Sequence, residues 1–250
     1  MKISRILKRI PRVKRFLDFH NPSVKLLIEK LGILNTLNPL VIDVGANTGQ
    51  TIDLILSINQ KSDIFSFEPT PELVIGLNSR YKDYNNVHIC DIALSDENGE
   101  ATLFTSEFSP TNSLLAPNVN MYQRFNSDLS EVLSNTERKT CKVDTFDNWY
   151  MNNISNNRII DLLKIDTQGT EYNVLKGSIQ VLQTHVRSVV LEFQYIPFYF
   201  NSQPFYKTIE FLYENGYYLF SFFESNKKTN LQLIENNALF LNKYFFKEGF

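Results

Sequence analysis

The chain is poor in the residues that announce metal sites and disulfide scaffolds. It has two cysteines, three histidines and one tryptophan among 250 residues. Cys90 and Cys141 have no partner at metal-ligand spacing, and a single pair does not make a secreted disulfide framework. Both read as reduced, largely buried thiols of a cytoplasmic protein. His20, His88 and His185 are scattered, and His88, inside a strand pattern, reads as a satisfied core histidine. No metal constellation emerges, although Asp166 beside another acid is a minor candidate for Mg²⁺. Apolar runs are short, none reaching the ~18 residues of a membrane span. There is no internal repeat and no leader-like apolar core near the start.

Charge is low in net value but uneven. Seven basic residues (Lys2, Arg5, Lys8, Arg9, Arg12, Lys14 and Arg15) precede the first acid, Asp18. The other 18 basic residues face all 27 acids, so the rest of the chain carries a net of −9. An acidic body argues against a nucleic-acid partner, which needs a positive surface along the phosphates. The basic start, with Ile3, Ile6, Leu7, Ile10, Val13, Phe16 and Leu17 near helical spacing, has three readings: a docked helix, a segment lying on an anionic membrane surface, or a partner-binding arm. Residues 1–38 are read as a basic helical extension, its second helix over 22–34, and residues 39–250 as the main domain.

With 43% hydrophobic residues the chain can bury one full core. From Leu40 onward, short β-branched runs alternate with helical patterns. Strands are predicted at Leu40–Val44, Asp63–Phe67, Val87–Leu94, Leu162–Ile165, Ser188–Phe193, Tyr217–Phe223 and Ala238–Leu241. Helices are predicted at Thr51–Ile58, Pro71–Arg80, Glu171–Leu182 and Pro204–Asn215. The alternation implies an α/β fold, a mostly parallel seven-stranded sheet with helices on both faces. Residues 95–158 break the rhythm. Ala101–Thr105 and Lys139–Val143 look like strands around a Ser- and Asn-rich stretch, read as an insertion over the ligand end of the sheet.

The sharpest signal is VIDVGANTGQ, residues 41–50. A buried strand ends in Asp43, and Gly45 and Gly49 follow in a tight turn that opens a helix. Ligands of open α/β sheets bind at such strand ends. The pattern Asp-x-Gly-x-x-x-Gly is not the dinucleotide fingerprint. An acid beside the turn suits the cationic S-adenosylmethionine; a plain strand-to-helix turn is the alternative. Glu68, ending the next strand, is placed to accept both ribose hydroxyls, or else to cap the helix that follows. Asp91 and Ala93 end the third strand where an adenine edge would lie, Asp91 being equally suited to capping a loop.

These segments, together with IALSDENGEATL, CKVDTFDNW, LLKIDTQGTEYNVLKG and VVLEFQ, resemble the FkbM-type methyltransferases, a branch of the Rossmann-like class I enzymes. The segments stand in that family's order over residues 40–194. The resemblance implies methyl transfer from S-adenosylmethionine to a hydroxyl of a sugar, glycan or natural product. It assigns Asp43, Gly45, Asn47, Gly49 and Glu68 to the cofactor. One departure is Gln168, where the family often carries an acid before the glycine; Asp166 and Glu171 remain as that segment's carboxylates.

An alcohol acceptor benefits from a general base. Asp166, at the tip of the fourth main strand, is the candidate, with a structural or cofactor-orienting carboxylate as the other reading. Glu171 suits packing or capping as well as function. Asn112 and Ser113 in the insertion, and Gln194 and Tyr195 after Glu192, are candidate acceptor contacts. The aromatic run from Tyr195 to Tyr206 reads as core or as a stacking platform for a sugar. Two rival readings are a nucleic-acid or protein methyltransferase and a non-catalytic binding protein of the same fold. Oligomeric state is not legible.

Overall fold

The computed structural model describes residues 22–227 and 233–246. The basic stretch before residue 22, with its three readings, lies outside them. Among the described residues no helix is long and apolar enough to cross a membrane.

The described residues form ten strands: β1 Leu40–Val44, β2 Asp63–Phe67, β3 Val87–Cys90, β4 Ala93–Leu94, β5 Gly99–Thr105, β6 Glu137–Asp144, β7 Leu162–Ile165, β8 Ser188–Gln194, β9 Tyr217–Lys227 and β10 Leu233–Asn242. Seven build the main sheet in the order β3-β2-β1-β7-β8-β10-β9. The first five run parallel, and β10 is antiparallel to both β8 and β9. This is the mostly parallel seven-stranded sheet expected from the alternation.

Alternation along the strands divides the core into two layers. Leu40, Ile42 and Val44 join Phe67, Leu163, Ile165, Val189 and Leu191 on one face, under helices Phe146–Asn153, Glu171–Lys176, Ile179–His185 and Phe205–Glu214. Val41, Leu162, Val190 and Leu239 look the other way, toward helices Pro22–Lys30, Gln50–Ile58 and Pro71–Arg80. Val24, Ile28, Ile33 and Leu34 belong to this second layer, so the segment around residues 22–34 is packed into the core.

Three local readings differ. The expected third strand, Val87–Leu94, divides. Glu68 N–H donates to the Cys90 carbonyl at 3.0 Å, the last bond β2 offers. Ala93–Leu94 then pairs instead with Val143–Asp144 in a small sheet of order β4-β6-β5. The expected helix Glu171–Leu182 breaks at Gly177, where a Cβ would come within 2.0 Å of the Ser95 carbonyl oxygen. His88 is not enclosed: it stacks on Phe65 with 4.4 Å between ring centroids and meets Asp63 at 3.0 Å on the edge strand.

The insertion is more ordered than its composition suggests. It contributes β5, β6 and helices Val119–Phe125 and Ser127–Leu133. Phe108, Tyr122, Leu129 and Leu133 pack with Ile196, Phe198 and Tyr199 into a separate apolar cluster. Phe198 and Tyr199 are therefore core of this cap, while Phe200 and Tyr206 are exposed.

At the far end of the sheet, Tyr217 is buried with its hydroxyl 2.8 Å from the Leu182 carbonyl and 2.9 Å from that of Val186. Tyr217→Phe would remove that donor and leave the two carbonyls to Asn242 Nδ2, 3.4 Å and 3.0 Å away. Urea unfolding should register a loss of about 1–2 kcal/mol; an unchanged midpoint would show that the ring alone holds this corner.

Candidate functional site

The tips of β1, β2 and β7 meet under the insertion. The turn after β1 is shaped by crowding: Gly45 has φ +87, and a Cβ there would stand 1.9 Å from the Asp166 carbonyl oxygen. Only glycine lets the two strand tips approach so closely. Asn47 is also left-handed, at φ 47. Gly49 is held by Tyr81, whose hydroxyl lies 2.9 Å from the Gly49 carbonyl and 2.8 Å from Asp53 Oδ1.

Glu68 sits at the tip of β2 with 4% of its surface exposed. Its Oε2 accepts from Asn47 N–H and its Oε1 from Thr70 N–H, each at 2.9 Å. Burial raises its pKa, and the bonds from Thr70 and Asn47 offset part of that rise. The Thr70 side chain bonds the carboxylate as well, and what acceptor capacity remains is open to a ligand hydroxyl.

Asp43 is placed differently from the ligand-facing acid read from the motif. It is 0% exposed. In the sheet register Asp43 pairs with Ser66 on one side and Lys164 on the other. Side chains at paired positions share a face. Ser66 Oγ donates to Asp43 Oδ2 at 3.3 Å, and Lys164 Nζ faces Oδ1 at 3.3 Å. Lys164, 4% exposed, also donates to the Gly45 carbonyl at 3.0 Å and lies 3.7 Å from Asp166 Oδ2. Burial alone would lower the pKa of this lysine, but Asp43 and Asp166 hold it above its usual value. The ammonium thus pins the glycine turn from beneath. Sequence reasoning passed over it; the signal was a lone lysine in the apolar strand LLKI, aligned between two singled-out acids.

Asp166 is partly exposed and its Oδ1 accepts from Gln168 Nε2 at 2.9 Å. The same nitrogen donates to Glu192 Oε2 at 3.1 Å. Gln168 Oε1 accepts from Gln194 Nε2 at 3.1 Å and lies 3.2 Å from the Tyr199 hydroxyl. Glu171 turns back on its own loop: Oε1 accepts from Thr167 N–H at 2.9 Å, and Gly169 N–H is 3.1 Å from both carboxylate oxygens. It braces the loop that leads into its own helix.

The insertion closes on these tips one by one. Ser109 Oγ donates to Asn47 Oδ1 at 3.1 Å, Asn112 Nδ2 to Thr70 Oγ1 at 3.2 Å, and Ser113 Oγ to the Gln168 carbonyl at 2.8 Å. Asn112, Ser113 and Gln194 are therefore brought to the site. Tyr195 stands aside, its hydroxyl donating to Asn236 Oδ1 at 2.7 Å and its ring against Phe205. Asp91 is exposed beyond β3, and Ala93 is buried in the small sheet. Cys90 and Cys141 are free thiols.

Glu192 stands among several other acids. Burial first, then repulsion from Glu235, Asp166 and Glu171, raises its pKa well above 4.5. A carboxyl whose pKa is higher folded than unfolded binds more protons when folded, so stability declines as pH rises above 4.5 toward the folded value. Glu192→Gln should remove that decline. The variant should gain on the parent as pH rises through this window, read by thermal melts at several pH values; parallel curves would refute the shift.

The methyltransferase FkbM domain model matches residues 43–219. The chain is similar to the 2-O-methyltransferase NoeI of Sinorhizobium fredii, 24% identical over 182 residues that make up 68% of this chain and 70% of that protein. Among solved structures it is similar to Aeropyrum pernix fibrillarin, determined with bound S-adenosyl-L-methionine (10% identity, TM-score 0.45). The match takes in 82% of this chain, which spans just under two thirds, 66%, of that one. It is also similar to a precorrin-6y C5,15-methyltransferase of Geobacter metallireducens (12% identity, TM-score 0.45, 88% of this chain and 89% of that chain).

Proposed function

This chain belongs to the FkbM family of S-adenosylmethionine-dependent methyltransferases, and we propose that it methylates a hydroxyl group of a sugar, glycan or natural product. One observation carries the reading. The insertion bonds separately to the tips of β1, β2 and β7, through Ser109, Asn112 and Ser113, and so roofs the place where Glu68, the 45–49 turn and Asp166 converge. The 2-O-methyltransferase relative supports oxygen as the acceptor atom. The acidic body favours a small or carbohydrate acceptor over a polyanion.

In this reading Gly45, Asn47 and Gly49 form the turn against the cofactor, and Glu68 accepts its ribose hydroxyls. Asp91 and Ala93 border the adenine side. Asp43 acts from beneath, through Lys164. When bound, S-adenosylmethionine supplies a methyl group on a positively charged sulfur. Asn112, Ser113 and Gln194 border the acceptor, whose hydroxyl lies against Asp166. The hydroxyl oxygen would take that methyl group, the carbon–sulfur electron pair remaining with the cofactor. The hydroxyl proton passes to Asp166. The protein's contribution is alignment, exclusion of water under the insertion, and that one proton acceptance.

The test is calorimetry with S-adenosylmethionine, followed by incubation with nucleotide sugars, methyl glycosides and oligosaccharides. Release of S-adenosylhomocysteine and a mass gain of one methyl on oxygen are expected. Cofactor binding with transfer only to RNA or to a peptide nitrogen would overturn the proposal.

A further inference from the structure

The amide nitrogen of Gln168 is shared by two carboxylates. It stands 2.9 Å from Asp166 Oδ1 and 3.1 Å from Glu192 Oε2, so those oxygens lie no farther apart than the two distances combined. The amide cannot turn away. Its oxygen is held by Gln194 Nε2 and the Tyr199 hydroxyl, and its backbone is left-handed at φ 58 with the carbonyl bound by Ser113. A non-glycine residue kept in that conformation carries strain, which the surrounding contacts must outweigh.

We propose that Asp166 and Glu192 form one carboxylate pair bridged by Gln168, and that the pair as a unit, rather than Asp166 alone, receives the acceptor's proton. The inference rests on the hydroxyl-methylation reading of the same site. Chemically, the pair gains a single proton while the hydroxyl oxygen takes the methyl carbon and sulfur keeps the carbon–sulfur electrons. Gln168 is a positioning residue: it gives no proton and presents one N–H to each carboxylate. Two carboxyls so close titrate together, the charge on one hindering ionisation of the other. Every neighbouring element adds to that setting. Lys164 on β7 attracts a proton-free pair, with Asp43 of β1 behind it. Glu171 on the following helix and Glu235 on β10 repel it, and Tyr199 closes the insertion side. Burial and this repulsion raise the Glu192 pKa above its usual value.

The experiment is a ¹³C titration of the Asp and Glu side-chain carboxyl carbons in the S-adenosylhomocysteine complex, in the parent and in Glu192→Gln, Asp166→Asn and Gln168→Met. In Asp166→Asn the Glu192 midpoint should fall by about one pH unit, since the Asp166 charge no longer opposes its ionisation. Gln168→Met, which keeps the volume and removes the donor, should raise the Glu192 midpoint. With an acceptor from the panel above, Glu192→Gln should also move the rising limb of the kcat profile downward, and Gln168→Met should lower kcat about tenfold with the KM for S-adenosylmethionine unchanged. Independent titration of the two carboxyls, or a kcat limb indifferent to Glu192→Gln, overturns the pair. Should Gln168→Met fail to fold, the two carboxylate variants decide alone. Should no hydroxyl acceptor react, the functional reading falls, and the titration curves still decide whether the pair exists.

Discussion

Replacing Lys164 with methionine should destabilise the protein by about 3–5 kcal/mol, the usual result of stripping a buried charge of its partner. Asp43 is wholly enclosed, and methionine has no ammonium to face its Oδ1. The Gly45 carbonyl would lose its donor as well. The double variant Asp43→Asn with Lys164→Met leaves no buried charge at this position, and it should recover most of the lost stability. Because the ammonium also pins the turn, the single variant should bind S-adenosylmethionine more weakly even below its melting temperature. Denaturant melts of the four proteins of the cycle decide the matter. A loss under about 1 kcal/mol in the single variant, or a double variant no better than it, would mean that Lys164 is not what holds Asp43.

Asp166→Asn should leave the fold and cofactor affinity nearly intact and lower turnover by about 10²–10⁴-fold, the usual contribution of a positioned general base. The substitution conserves shape, and the amide can still accept from Gln168 Nε2 while giving up the capacity to take a proton. Lys164 keeps its contact with Asp43. Calorimetry with S-adenosylmethionine should therefore give a Kd close to the parent's, while kcat collapses on the acceptor found by screening. Full turnover would remove the base. A large loss of cofactor affinity would instead make Asp166 a cofactor-orienting carboxylate.

Much of the scaffold was readable from local pattern. The strands Leu40–Val44, Asp63–Phe67 and Leu162–Ile165 stand where short apolar runs predict them, because a strand covered on both faces must be apolar throughout. Helices Gln50–Ile58 and Pro71–Arg80 follow from spacing and from proline at a first turn. The division of Val87–Leu94 was not readable, since it depends on where the neighbouring β2 stops offering bonds. The break at Gly177 depends on Ser95, distant in sequence but pressed against it. The insertion's order comes from apolar residues spread between Phe108 and Tyr199, which only the folded chain assembles.

At the site, residue types and strand-end positions were enough to single out Asp43, Gly45, Glu68 and Asp166, because open parallel sheets concentrate chemistry at the tips of their strands. What each carboxylate faces was beyond any local pattern. Register set Asp43 against Lys164, and chain crossing set Glu192 beside Gln168. Backbone preference and hydrophobic period act within a few residues and are written along the chain. The environment of a charge is the sum of everything brought within a few ångströms of it, and that sum exists only once distant segments have packed.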